Sequence, residues 1–398
     1  MNKKFTKLLT AALACTMLTG CGVSQAQLDE ITARYDEKIA ALEATVSSLE
    51  STLAGMDSES VSKEEARNRN WIIVTDYIDN LGRTDVSDKV QKIIDDNPNS
   101  TIYFPDGAYR IDKPICTPAD PKKSVDLHLS NYAAIRAGNN WSSKDAMIRL
   151  GGKDAKNDIS SLGSVYSFTG GIVDGRGKAN GISIESGRET AVRNVSIKNT
   201  IIGIHIHYGA NSGSSDSDIY NVNIVGCGGD KSVGVLIQGY DNTLTNMRIA
   251  NVHYGINLQS SGNMLRNIHP LYYRGSSTYV RSCGFYDAGG NNWYDYCYSD
   301  QFCTGFYIKD NLSNVYDSAF CFWYNGDDGK QTAIRTGGKF NSLVTSIRVS
   351  FHKNSKENLL LDLGEKGGNG VIQYILTNES RVTGTDHKLH LAGKIINS

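Results

Sequence analysis

Between Val192 and Pro270 apolar and polar residues alternate in short runs, and the runs recur. Val195 and Ile197 bracket Ser196, Val222 and Ile224 bracket Asn223, and Met247 and Ile249 bracket Arg248. Each such run is followed by a second one that opens on glycine: Gly203-Ile204-His205-Ile206, Gly234-Val235-Leu236-Ile237 and Gly255-Ile256-Asn257-Leu258. Arg266-Asn267-Ile268-His269 opens a fourth copy. A period of two predicts strands with one face buried. Asn194, Asn221, Asn246 and Asn267 stand 27, 25 and 21 residues apart. A strand-only recurrence at that interval predicts a solenoid. The fold class expected is all-β: a right-handed parallel β-helix with one coil per repeat. Similar patterns continue through Asn291–Tyr298, Gly305–Lys309, Asn314–Trp323 and Phe340–Val349, and fade after Gly364, where strands near Val371–Ile375 and His387–Leu391 are expected to cap the C-terminal end.

Other periods precede this one. Leu28, Tyr35, Leu42, Leu49 and Met56 recur every seven residues, with Ile39, Val46 and Leu53 between them. That predicts a short coiled coil over residues 28–56, ended by Gly55 and Asp57-Ser58-Glu59-Ser60. A stalk that gathers two or three chains and a single amphipathic helix both fit. Asp85 to Asp95 predicts a helix with Val86, Val90, Ile93 and Ile94 on one face. On either side lie the strand patterns Trp71–Tyr77 and Thr101–Ile111, the latter turning at Pro105 and Gly107.

The pattern Val74-Thr75-Asp76-Tyr77, a helix carrying Gln91 and Ile94, and then Ile102-Tyr103-Phe104-Pro105-Asp106-Gly107-Ala108-Tyr109-Arg110-Ile111 resembles the opening of the pectate-lyase superfamily domain. That superfamily includes rhamnogalacturonase-like, epimerase-like and tailspike β-helices. The resemblance implies that the helix caps the first coil. A bare first coil would expose apolar cross-section and strand edges. One departure is Ile78-Asp79-Asn80-Leu81-Gly82 in place of a Gly-rich link.

The first residues read as a targeting signal. Lys3, Lys4 and Lys7 precede an apolar run from Leu8 to Leu18, and Leu18-Thr19-Gly20-Cys21 resembles the lipobox of bacterial lipoproteins. This implies lipidation at Cys21 and a protein anchored on the extracytoplasmic face of a bacterial membrane. The expected organisation is a signal peptide over 1–20, a helical stalk over 21–66 and a β-helix over 70–398.

Composition narrows the partners. A formal net charge of −1 leaves no basic footprint for nucleic acid. Cys116, Cys227, Cys283, Cys297, Cys303 and Cys321 show no zinc spacing. Cys297, Cys303 and Cys321 fall in adjacent predicted coils, where stacked thiols and disulfides are both open. No metal or other cofactor is implied. Ca²⁺ at the Asp216–Asp218 run has no EF-hand-like spacing behind it.

Candidate chemistry lies on the outward positions. Ser196, Asn223, Arg248, His269 and Tyr294 form one expected column, with neighbours about 4.8 Å apart. Lysis of a uronate chain needs a base for the C5 proton and a cation for the carboxylate. Arg248 and His269 supply that pair, and Asp241 at a nearby corner completes the catalytic candidates. A second column holds His205, Leu236, Asn257, Tyr286 and Tyr307, flanked by His207, Gln238, Gln259 and Lys309. With Asn223 these are candidate saccharide-binding positions, because rings pack on sugar C–H faces and amides bond hydroxyls. A solvated sheet face requires polar alternation as well. Hydrolysis would need two carboxyl groups. Asp216, Asp218 and Asp241 are expected to project from adjacent corners, and Asp327 and Asp328 are a second pair, but no hydrolase motif accompanies that pair: N-T-D, G-H-G and R-I-K are absent, and Asp216 and Asp218 also read as loop residues. Asp174, between glycines, reads as a turn cap. Two functions stay open. One is a lyase or glycoside hydrolase of an acidic or pectin-like polysaccharide. The other is a non-catalytic glycan adhesin or oligomeric scaffold.

Overall fold

The computed structural model describes residues 61–153, 166–208, 214–272, 281–309, 312–324, 331–352, 358–364 and 368–378, with shorter runs near both ends. The chain divides into Met1–Ser60 and Val61–Ser398. In the first unit residues 33–34 and 36–41 are helical. Cys21 and, of the heptad positions, all but Ile39 lie outside the described residues. The second unit begins with the helix Lys63–Asn68, capped by Ser62, whose Oγ accepts from Glu65 N. Val61 and Ala66 pack with Ile73 and Tyr103, so the packed body starts at Val61.

Every strand pairing described in this body is parallel and joins a residue to one a coil further on, as in a parallel β-helix. Each coil contributes to three faces. Face one runs through Ser100–Phe104, Val125–Leu129, Ser167–Thr169, Ala191–Arg193 and Asp218–Tyr220. Face two runs through Gly107–Ile111, Ala133–Ala137, Ile172–Asp174, Ser196–Thr200 and Asn223–Gly226. The strands Thr243–Ala250 and Met264–Leu271 pass through both faces. Face three is a separate eleven-stranded sheet that includes Asn180–Ile184, Ile202–Ile206, Val233–Ile237, Tyr254–Leu258, Cys283–Asp287 and Thr304–Ile308. The coils do not stop at Gly364. Val371–Thr377 pairs with Leu343–Ser350, and Ile395–Asn397 pairs onward from it.

The asparagine period has a backbone cause. Asn194, Asn221, Asn246 and Asn267 all have φ between 52° and 57°, the left-handed region that asparagine tolerates better than most side chains. Each turns the chain from face one to face two. Their amides also stack: Asn221 Nδ2 donates to Asn194 Oδ1 at 2.9 Å, and Asn267 Nδ2 to Asn246 Oδ1 at 2.7 Å. The recurrent glycine has a different cause. A Cβ on Gly234 would meet Gly255 O at 2.5 Å and Ile249 Cγ2 at 2.4 Å. Coils pack there too closely for any side chain.

Inside, like residues stack from coil to coil. Ile182, Ile204, Val235, Ile256, Phe285 and Phe306 lie in register and are buried. Phe285 and Phe306 stack at 4.7 Å. Fully burying each such side chain contributes about 1.5–3 kcal/mol. A second, interior asparagine ladder closes the corner before face one. Asn242 donates to Asn263 Oδ1, Asn263 to Asn292 Oδ1 at 2.9 Å, and Asn292 N to Asn314 Oδ1 at 2.8 Å. It ends on Asp287, which is 1% exposed and accepts from Asn314 Nδ2 and Tyr316 OH, both at 2.7 Å.

The helix Ser87–Asp96 buries Val90, Ile93 and Ile94. Its Gln91 lies along the strand Ile115–Pro118: Nε2 donates to Cys116 O at 2.9 Å and Oε1 accepts from Cys116 N at 2.8 Å. All six cysteines named from the sequence are free thiols, and Cys283, Cys297, Cys303 and Cys321 are buried. The disulfide alternative is therefore not realised.

Candidate functional site

Face three carries two outward columns side by side. The first reads Arg149, Ser183, His205, Leu236, Asn257, Tyr286, Tyr307 and Arg335 in unbroken register. The second holds Glu185, His207, Gln238 and Gln259, each one residue past the last buried position of its strand. Side chains cross between the columns and form three successive groups of contacts. Arg149 grips Glu185 with two bonds, Nε to Oε1 at 2.7 Å and Nη2 to Oε2 at 2.6 Å. Ser183 Oγ also donates to Glu185. The rings of His205 and His207 stack at 3.7 Å.

From His205 the contacts have a direction. His205 Nε2 lies 2.8 Å from Gln238 Oε1, Gln238 Nε2 donates to Gln259 Oε1 at 2.9 Å, and Gln259 Nε2 donates to Asn257 Oδ1 at 3.1 Å. Because Gln238 uses its NH₂ on Gln259, its oxygen faces His205. That places the His205 proton on Nε2 and leaves Nδ1 as an acceptor. Asn257 keeps its own NH₂ as a donor. Tyr286 and Tyr307 then stack at 5.1 Å, and the Arg335 guanidinium lies 5.9 Å over Tyr307.

The electrostatics follow from burial and pairing. Burial first, and then the adjacent His207, push His205 down to about 4. Burial likewise lowers His207. Both imidazoles are neutral near pH 7. Burial opposes the charge on Glu185, but bonds from Arg149 and Ser183 outweigh it and hold the carboxyl below its ordinary range. The same Glu185 bond raises the Arg149 guanidinium. An ionised, doubly bonded Glu185 has no proton to give, so it orients Arg149 rather than serving as an acid.

Face two carries the other candidates. Asn223, Arg248 and His269 share one outward column, as the alternation indicates. Tyr294 does not join them. It pairs with Leu265 and is buried, because the corner of its coil is Tyr296, at φ 52°, rather than an asparagine. The fourth place belongs to Tyr298, whose ring stacks on His269 at 4.0 Å. Phe320 follows at 4.6 Å, and Arg348 lies 5.4 Å over Phe320. His269 Nε2 lies 3.6 Å from Asp300 Oδ2. Asp241 is not part of this group. It sits at φ 56° in the corner before Thr243–Ala250, whereas Arg248 lies near the far end of that strand on face two. The left-handed corner at Asn246 lies between them, so Asp241 stands at the start of face one and Arg248 on face two.

The remaining carboxylates have structural partners. Asp216 pairs with Arg188 at 2.8 Å and Asp218 with Arg193 at 2.7 Å. Asp174 accepts from Arg176 N and Asn199 Nδ2, both at 3.0 Å, which is a turn cap. Asp327 and Asp328 lie outside the described residues. Among the described residues no group of three or more His, Cys, Asp or Glu could hold a metal ion. The alternation pointed to every face-three position from His205 to Tyr307. It did not point to Arg149 and Glu185, which lie 36 residues apart and upstream of the clear repeats.

Residues 71–278, more than half of the chain, match the family described as rhamnogalacturonase A/epimerase, pectate lyase-like. The chain belongs to this family. No curated protein matches its sequence. Solved structures with the same fold include ORF18 of Geobacillus virus E2, at 13% identity and a TM-score of 0.56, covering 78% of this chain and 62% of that one. A mutant tailspike of E. coli bacteriophage HK620 in complex with hexasaccharide is 12% identical with a TM-score of 0.59, covering 81% of this chain and 64% of the tailspike. The chain thus spans less than two thirds of either viral protein. Within the rhamnogalacturonase A/epimerase-like family segment lie all the face-three residues from Arg149 to Gln259, together with Arg248 and His269; Tyr286 and Tyr307 lie beyond it.

Proposed function

We propose that this protein is a lipid-anchored extracytoplasmic β-helix that binds polysaccharide along face three. The observation that carries the reading is the directed run from His205 through Gln238, Gln259 and Asn257 to the stacked Tyr286 and Tyr307. Amides with fixed direction match sugar hydroxyls, which both donate and accept. Stacked tyrosines offer ring faces to sugar C–H bonds at low conformational cost. Strand spacing of about 4.8 Å repeats these groups along the solenoid, which suits an extended chain more than a compact ligand. A tailspike of the same fold in complex with hexasaccharide supports a glycan as the partner. Cys21 supplies the membrane anchor, and the heptads over 28–56 gather copies of the chain.

A second reading rests on face two. His269, stacked on Tyr298 and 3.6 Å from Asp300, stands beside Arg248 in register. That is a base next to a cation, the pair that lysis of an acidic glycan requires. Hydrolysis has weaker support, since it needs two carboxyl groups flanking the bond.

A polysaccharide panel tests both readings. Retention of a glycan without new ends is the result expected for binding alone. New unsaturated uronates absorbing in the ultraviolet, lost in His269→Ala, would establish the lyase. No retention of any glycan would overturn the face-three reading.

A further inference from the structure

The corner that feeds face three holds a cleft of about 500 Å³ between coils. Trp141, Ile201 and Ile202 contribute its apolar surface, and Lys144, Lys178 and Lys231 line it with ammonium groups. The lysines belong to different coils. Lys144 precedes the strand Ala146–Lys153, Lys178 precedes Asn180–Ile184, and Lys231 precedes Val233–Ile237. Ile202 opens the strand of the coil between the last two. The charges are therefore strung along the solenoid axis over roughly 15 Å.

None of the cleft's lining residues is a carboxylate. Of the nearest acids, Asp145 pairs with Arg149 at 3.5 Å, and Asp230 precedes Lys231 in its loop. Lys178 Nζ donates only to a backbone carbonyl, that of Asn139, at 3.3 Å. Asn180 is tied across the coils, donating to Lys144 O at 2.9 Å and accepting from Ile202 N at 3.1 Å. It fixes the cleft's shape and has little left to offer a ligand. An apolar surface from Trp141, Ile201 and Ile202 with three lysines beside it matches a sugar ring that carries negative charge.

We propose that this cleft binds an anionic sugar residue, its ring against the apolar surface and its carboxylate or sulfate among Lys144, Lys178 and Lys231. The proposal rests on the polysaccharide reading of face three and adds the charge of the glycan. The cleft opens where the face-three strands begin, so one extended chain reaches both.

The test compares the full chain with the triple variant Lys144→Gln/Lys178→Gln/Lys231→Gln. The probes are oligogalacturonate and its carboxyl-reduced form, and dextran sulfate and dextran. The expected result is a loss of about tenfold or more in affinity for one charged probe, a smaller loss at high salt, and unchanged affinity for its neutral form. Which charged probe responds identifies carboxylate or sulfate. Equal affinity of variant and parent for both charged probes would overturn the cleft, as would a parent that binds neither. The variant Tyr286→Ala/Tyr307→Ala separates the two ideas. It weakens charged and neutral probes alike if face three binds glycan, and leaves both unchanged if it does not. Should the triple variant melt at lower temperature than the parent, Lys231→Gln alone, in an exposed loop, carries the comparison.

Discussion

His205 Nε2 lies 2.8 Å from Gln238 Oε1, and that contact ties the His205 ring to the amide run on face three. Replacing Gln238 with Leu breaks the run at its second member. Gln259 then loses its donor, and His205 loses the group that fixes its tautomer. The expected outcome is glycan affinity reduced about five- to tenfold, the worth of one hydrogen bond left unmade, with folding intact. Equilibrium binding to the retained polysaccharide, together with the His205 ring-nitrogen shifts, checks this.

Two buried groups titrate against each other. His205 has a pKa of about 4 when folded and 6.5 when unfolded, so the unfolded chain holds the proton more tightly. Its contribution is complete above pH 6.5 and is lost as pH falls toward 4. Asp287 runs the other way. Burial raises it from 3.8 to about 7, so stability falls as pH rises through that window. Each effect is on the order of 3–4 kcal/mol. Between pH 4 and 6.5 they oppose each other, and Asp287 offsets part of the slope that His205 and the other depressed histidines, His128, His207 and His253, give the parent. Asp287→Asn removes that offset: stability rises more steeply from pH 4 to 6.5, and at pH 8 is equal to or above the parent. Urea unfolding across this range is the measurement, and a variant less stable than the parent at pH 8 would contradict the assignment.

Asn221 is expected to resist alanine more than glycine. Alanine loses the bond to Asn194 and must hold φ at 53°, for a cost of about 2 kcal/mol. Glycine loses the bond but accepts the angle. A thermal melt that ranks glycine below alanine would show that the ladder, not the backbone, dictates asparagine there.

Gly234→Ala places a methyl group 2.5 Å from a carbonyl oxygen of the next coil. The coils must separate locally, at a cost of about 1–3 kcal/mol or more. Chemical denaturation of this variant beside Gly229→Ala, where a Cβ would meet nothing, isolates the packing effect.

These contrasts also show what the sequence could reveal. Period-two alternation disclosed the fold and the column from His205 to Tyr307, because inward and outward residues differ sharply in polarity there. It failed at Tyr294. The residue pattern aligns Asn291 and Asn292 with the corner at Asn267, but Asn291 turns the chain before face one, and the matching corner is Tyr296. A left-handed tyrosine leaves no mark in such a pattern. The partnership of Arg149 with Glu185 was equally hidden, because nothing local requires it. The Lys144, Lys178 and Lys231 cleft was hidden for the same reason: its members meet only through coil stacking.

The left-handed corners between faces one and two have a consequence for how such a chain can diversify. They fix the angular phase of successive coils, from Asn194 through Asn267 to Tyr296. Insertions that respect that phase must fall elsewhere. The corner before face three already varies, from the single residue Ile201 between strands to the eight-residue stretch 138–145. The molecule thus behaves as a ruler with fixed graduations and an exchangeable edge. New ligand contacts can be grafted along that edge while the spacing presented by His205, Asn257 and Tyr286 stays constant.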